Sequence, residues 1–94
     1  MRPGRYIEAV AELGCVICRR IGRGYSSAEI HHVAEGSGKR SDYAIVGLCP
    51  EHHRGALGYH GLGERKFCAM YSVPWRREYG LLIWVNEDMY GRER

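Results

Sequence analysis

Residues 48–61 read LCPEHHRGALGYHG, which puts one cysteine, three of the chain's five histidines and three glycines in fourteen positions. The remaining histidines, His31 and His32, are adjacent. Upstream, Cys15-x-x-Cys18 is half of a zinc knuckle, a tight turn that aims two thiolates at one ion. Cys49-x-x-His52 supplies a second pair at the same spacing. Thiolate and imidazole both suit zinc, and four such donors close a tetrahedral structural site. Structural zinc at Cys15, Cys18, Cys49 and His52 is therefore the expectation. Cys68 competes for the fourth place. It stands between Phe67 and Met70 in an amphipathic stretch, where a buried thiol behaves as a small hydrophobe.

A metal at these positions answers a need set by size. Ninety-four residues form one domain, 1–94, whose modest core calls for a staple. Two disulfides are the other use of four cysteines. The N-terminal MRPGRYIEAV lacks a signal-peptide core, and a reducing cytoplasm argues against them. No apolar run approaches the roughly twenty residues of a membrane span. A net charge of +3 permits a polyanionic partner without requiring one.

The elements that must position these residues follow from periodicity. Tyr6, Ile7, Val10 and Leu13 predict a helix over 4–13 that ends at Gly14. SSAEIHHVAEG reads as a strand ending near the histidines, GSGKRSD as a loop, and YAIVGLC as a second strand, together a hairpin. Pro50 fits the first turn of a helix begun by PEHHRG. GERKFCAMYS predicts a further short helix with Phe67, Met70 and Tyr71 on one side. VPWRREYGLLIWVNEDMY reads as a helix from Pro74, with a helix followed by a strand LLIWV as the alternative. The fold class is small α+β.

A His-His pair closing a strand, a loop, and a second strand running into Leu-Cys-x-x-His-His at a helix start resemble the ββα-metal (His-Me) finger of HNH endonucleases braced by a four-ligand zinc. The run IHHV…GSGKRSDYAIVGLCPEHHRGALGYHGLGERKF is similar, more specifically, to the phage recombination-enhancement, RecA-dependent nucleases. The likeness spans about residues 14–71, leaving a helix at 4–13 and a helical extension at 72–90 as flanks. It implies a metal-dependent DNA endonuclease in the cytoplasm of a bacterial host, encoded by a phage or prophage, with RecA-coated DNA as a candidate partner. His32 would be the general base, and His31 and His53 would hold one catalytic magnesium, manganese or zinc ion. The products would carry 5′-phosphate and 3′-hydroxyl ends. Phosphodiester hydrolysis asks for such groups, because it needs an activated water and neutralised phosphate charge.

Three points depart from a simple transfer. Side chains at successive strand positions face opposite ways, so a bend or bulge is expected to bring His31 and His32 to one pocket. His60 lies seven residues beyond His53, a rise of about 10.5 Å in a continuous helix. A break at Gly55 or Gly58 would return it to the same metal; otherwise it contacts phosphate or solvent. The family's asparagine has no counterpart near the motif, since the single Asn is Asn86. Asp42 could take over orientation of His32.

Lys39, Arg40, Arg54, Arg65 and Lys66 are candidate phosphate contacts, with Arg19, Arg20 and Arg23 as a further basic cluster. Nothing resembles a base-reading helix, so little sequence specificity is expected. Trp75 and Trp84 are expected as core or interface anchors. Two other functions compete: a non-catalytic zinc module that binds nucleic acid or protein, and a redox protein using Cys15 and Cys18.

Overall fold

The computed structural model describes residues 1–33 and 40–91. Helix α1 spans Pro3–Leu13, with Pro3 in its first turn and Tyr6 and Val10 buried. It stops at Gly14, whose φ of +78° is left-handed and whose Cβ would meet the Ser26 carbonyl at 2.6 Å. Only glycine fits that corner. The corner delivers the chain to α2, Val16–Arg20, whose N-cap is Cys15. Its Sγ accepts from the Cys18 N–H at 3.4 Å, so the knuckle is itself a helix cap.

Strands β1, Glu29–His32, and β2, Ile45–Leu48, form an antiparallel pair, with Glu29 opposite Leu48, Ile30 opposite Gly47, His31 opposite Val46 and His32 opposite Ile45. Every residue of β2 is buried, which explains its unbroken apolar run. Short helices follow: α3 at Pro50–His53, α4 at Tyr59–Leu62 and α5 at Glu64–Met70. Two 3-10 turns, Pro74–Arg76 and Glu78–Gly80, lead into α6, Leu81–Tyr90. α1 and α6 pack together over β2, around a core that includes Val10, Ile17, Ile45, Leu48, Phe67, Val73 and Leu81.

The helix expected from Pro74 begins at Leu81 instead, and LLIWV is helical rather than a strand. The reason lies in the backbone: Ser72, Trp75 and Arg76 all have φ of 56°, which no right-handed helix accommodates. Each such residue costs roughly 1–3 kcal/mol. Trp75 is also not a core residue, being 67% exposed. Trp84 is half-buried beneath the Arg20 guanidinium, 5.1 Å from its ring centre. Among the described residues no helix is long and apolar enough to cross a membrane.

Candidate functional site

Cys15, Cys18, Cys49 and His52 converge from the knuckle and from the start of α3, and all four are buried. Their Sγ and Nδ1 atoms lie within 4.8 Å of one another. A tetrahedral zinc, with Zn–S about 2.3 Å and Zn–N about 2.0 Å, separates two sulfurs by about 3.8 Å and sulfur from nitrogen by about 3.5 Å. The Cys18 and Cys49 sulfurs are 3.8 Å apart. His52 Nδ1 stands 3.5 Å from Cys15 Sγ, 3.5 Å from Cys18 Sγ and 3.2 Å from Cys49 Sγ. Those four separations fit such an ion, and the cluster could hold a structural metal. Behind it, Glu51 approaches His52 Nε2 at 3.6 Å and accepts from Arg23 at 3.0 Å. Burial pushes the Cys15 thiol up to about 12 and lowers the proton affinity of His52. None of the cysteines is in a disulfide, and Cys68 stays buried outside the cluster.

His53 follows His52 on the same helix but points elsewhere, because adjacent helical side chains diverge by about 100°. With His31 and His60 it forms a second cluster, whose ring nitrogens also lie within 4.8 Å of one another. The ring centres are 5.2 Å apart for His31 and His53, 5.4 Å for His31 and His60, and 4.8 Å for His53 and His60. His60 gets there because α3 ends at His53 and the glycine-spaced loop doubles back. A Cβ on Gly61 would meet the Gly55 carbonyl at 2.2 Å, so this reversal is closed to larger residues. Tyr71 Oη fastens the loop by donating to the Leu57 carbonyl at 2.9 Å. Burial, then the neighbouring His53 and His31, lower the proton affinity of His60, while Glu78 opposes them.

Two carboxylates that the sequence did not single out stand beside this cluster. Glu29 and His31, two apart on β1, share the strand face over which α3 lies. Glu29 Oε1 lies 2.8 Å from His53 Nδ1, and both Glu29 oxygens accept from Arg54, at 3.0 and 2.5 Å. The Arg54 guanidinium, then His53, hold the Glu29 carboxyl down at about 2. Glu78 is buried, with Oε2 2.5 Å from His31 Nε2. Acidic residues 24 and 47 positions from their histidines leave no local spacing signal. The alternation on β1 was the one available hint, and it pointed to Glu29 only.

His32 faces the other way. The ladder runs through both histidines without a bulge, yet His31, His32, His53 and His60 line one open cleft of about 290 Å3 together with Ile30 and Arg40. The strand ends at His32, and that end, rather than a bulge, opens both faces onto the cleft. His32 Nε2 is 3.0 Å from Asp42 Oδ1, and Arg40 Nη2 is 2.8 Å from His32 Nδ1. A guanidinium only donates, so Nδ1 must carry the lone pair and Nε2–H must donate to Asp42. The partners thereby fix a neutral tautomer with its basic nitrogen turned to Arg40.

The basic residues divide. Arg65 and Lys66 are exposed. Arg54 is engaged by Glu29, and Arg40 by His32. Arg19 and Arg20 instead pair with Asp88 and Glu87, tying α2 to α6. Lys39 lies outside the described residues.

A family model described as "Recombination enhancement, RecA-dependent nuclease" matches residues 3–91. No curated protein and no solved structure matches the chain.

Proposed function

This chain belongs to the family of recombination-enhancement, RecA-dependent nucleases, and from that membership we propose that it is an HNH-type DNA endonuclease of low sequence specificity, with a ββα-metal finger at about 14–71 braced by structural zinc. The observation that carries the reading is the single cleft in which three clustered imidazoles meet a fourth, His32, of fixed tautomer. A purely structural zinc module would leave that second cluster and the His32–Asp42 pair without a task.

In this reading His31, His53 and His60 hold one magnesium, manganese or zinc ion. When bound, it would supply charge neutralisation to the phosphate and to the departing oxygen. His32 is the general base. Its Nδ1 would take a proton from a water whose oxygen attacks phosphorus; the bond from phosphorus to the 3′ oxygen breaks, and that oxygen takes a proton from solvent, giving 5′-phosphate and 3′-hydroxyl ends. Asp42 accepts from Nε2–H throughout and stabilises the imidazolium that forms. Arg40 occupies the water's position at Nδ1 and must leave it. An incoming phosphate is the natural lure, since guanidinium binds phosphate more strongly than a neutral imidazole. Arg65 and Lys66 add backbone attraction. RecA-coated DNA is the proposed physiological target, in keeping with the family's name.

The test is cleavage of plasmid and single-stranded DNA, bare and RecA-coated, with added magnesium, manganese or zinc. Wild type should cut and His32→Ala should not, at equal zinc content. Cutting by His32→Ala at the wild-type rate would remove His32 as base.

A further inference from the structure

We propose that Glu78 is a positioning residue of the histidine cluster, the buried carboxylate that holds His31 and supplies the negative charge a cation there requires. The inference rests on the reading of His31, His53 and His60 as a cation site. Glu78 comes from outside the finger, 47 residues from His31, yet its Oε2 lies 2.5 Å from His31 Nε2. It is 6% exposed.

Its placement is held from several sides. The Glu78 backbone N–H donates to Glu64 Oε2 at 2.8 Å, and Arg77 Nε reaches the same oxygen at 3.5 Å. A Cβ on Gly80 would meet the Pro74 carbonyl at 2.0 Å, so the turn closes only around glycine. Trp75 and Arg76 are left-handed on the way in. A backbone so constrained, ending in a buried carboxylate at a histidine cluster, marks a place where position matters more than local comfort.

Charge explains why a carboxylate belongs there. Three neutral imidazoles bring no charge to a divalent ion. The other nearby anion, Glu29, is already matched by the Arg54 guanidinium. Among the described residues, the ion-pair partner of Glu78 is His31 alone. A carboxylate bonded to a ligating histidine fixes the ring and raises its basicity, and loss of such partners typically lowers metal affinity 10- to 100-fold. A buried His–Glu pair could also serve merely to pin the turn before α6 onto β1. The two roles differ in what they do to ion binding.

The experiment uses the full zinc-loaded chain without nucleic acid and titrates manganese(II), reading unbound manganese by its electron paramagnetic resonance signal. Wild type should bind one ion, and Glu78→Gln, which keeps the size and a hydrogen-bonding group, should bind it about 10- to 100-fold more weakly. Glu64→Ala, which removes the acceptor of the Glu78 N–H but leaves the Glu78 carboxylate, should weaken binding severalfold and guards against a Glu78→Gln variant that does not fold. Manganese affinity unchanged in a folded variant of either kind, with a lowered melting temperature, would make Glu78 a fold brace and overturn the proposal. No manganese bound by wild type would overturn it as well. The nuclease reading fails separately, if binding depends on Glu78 but no strand is cut.

Discussion

The two clusters share α3 through adjacent residues, yet they are built to opposite specifications. Around His52 all four donors are buried, and His52 Nδ1 stands 3.2–3.5 Å from each of the three sulfurs, close to what a tetrahedral ion sets. Around His53 the burial falls off in steps, from buried His31 through half-buried His53 to exposed His60. The first is closed and its charge comes from thiolates. The second opens on a cleft and is built of imidazoles, with Glu78 against His31 and with Glu29, itself paired with Arg54, against His53. Closure suits a staple, because a site with no vacant face can only hold chain together. An open face suits chemistry, because a substrate must reach it.

The sharpest way to break this contrast is to remove one donor from each side. Cys49→Ser should abolish zinc retention and cooperative folding, since structural zinc in small domains contributes on the order of 10 kcal/mol. His53→Ala should leave zinc content intact and move the melting temperature, measured without added divalent ion, by only a few degrees. Equal loss of folding in both, read by circular dichroism and metal analysis, would erase the distinction.

Next in size is the catalytic side alone. His32→Ala should lower the cleavage rate about 10²- to 10⁴-fold, the usual worth of a general base, with zinc content unchanged. Arg40→Ala separates two opposing effects. It uncovers Nδ1 of His32 but removes a phosphate contact, so KM should rise severalfold while kcat holds or increases. A fall in kcat with KM unchanged would deny Arg40 its place as a displaceable cap.

The contrast also marks what was legible in the sequence. The cluster of Cys15, Cys18, Cys49 and His52 could be read because each half lies within four residues, and short spacing survives any uncertainty about tertiary structure. The return of His60 was one of two readings, open because glycines at 55, 58 and 61 disfavour a continuous helix. Strand alternation separated His31 from His32, although the expected bulge proved unnecessary once the strand ended there. The carboxylates were not legible in the same way. Glu78 reaches His31 only because a turn with left-handed Trp75 and Arg76 interrupts a pattern that otherwise reads as helix. Trp75, expected as a core or interface anchor, is exposed and so lies outside the core, at a left-handed position that the sequence pattern does not signal.

The smallest expected effect is also the one that orders the clusters by pH. Glu29 is held at about 2 by Arg54 and His53, so its contribution to stability is complete above the ordinary carboxylate value of 4.5 and is lost only as pH falls towards 2. Between pH 7 and 5 it is constant. His52 is lowered by burial, so what it contributes is present above the ordinary imidazole value of 6.5 and declines as pH falls below that. Cys15, pushed up to about 12, regains its proton readily once zinc is weakened. Mild acid should therefore release zinc and unfold the chain while the Glu29–Arg54 pair is still ionised. Glu29→Gln should then shift the acid-unfolding midpoint only slightly, by less than half a pH unit. Zinc release to a chromophoric chelator should coincide with loss of helical circular dichroism. Unfolding confined to pH 2–4, after zinc had already left, would mean that the carboxylates rather than the closed cluster hold the fold.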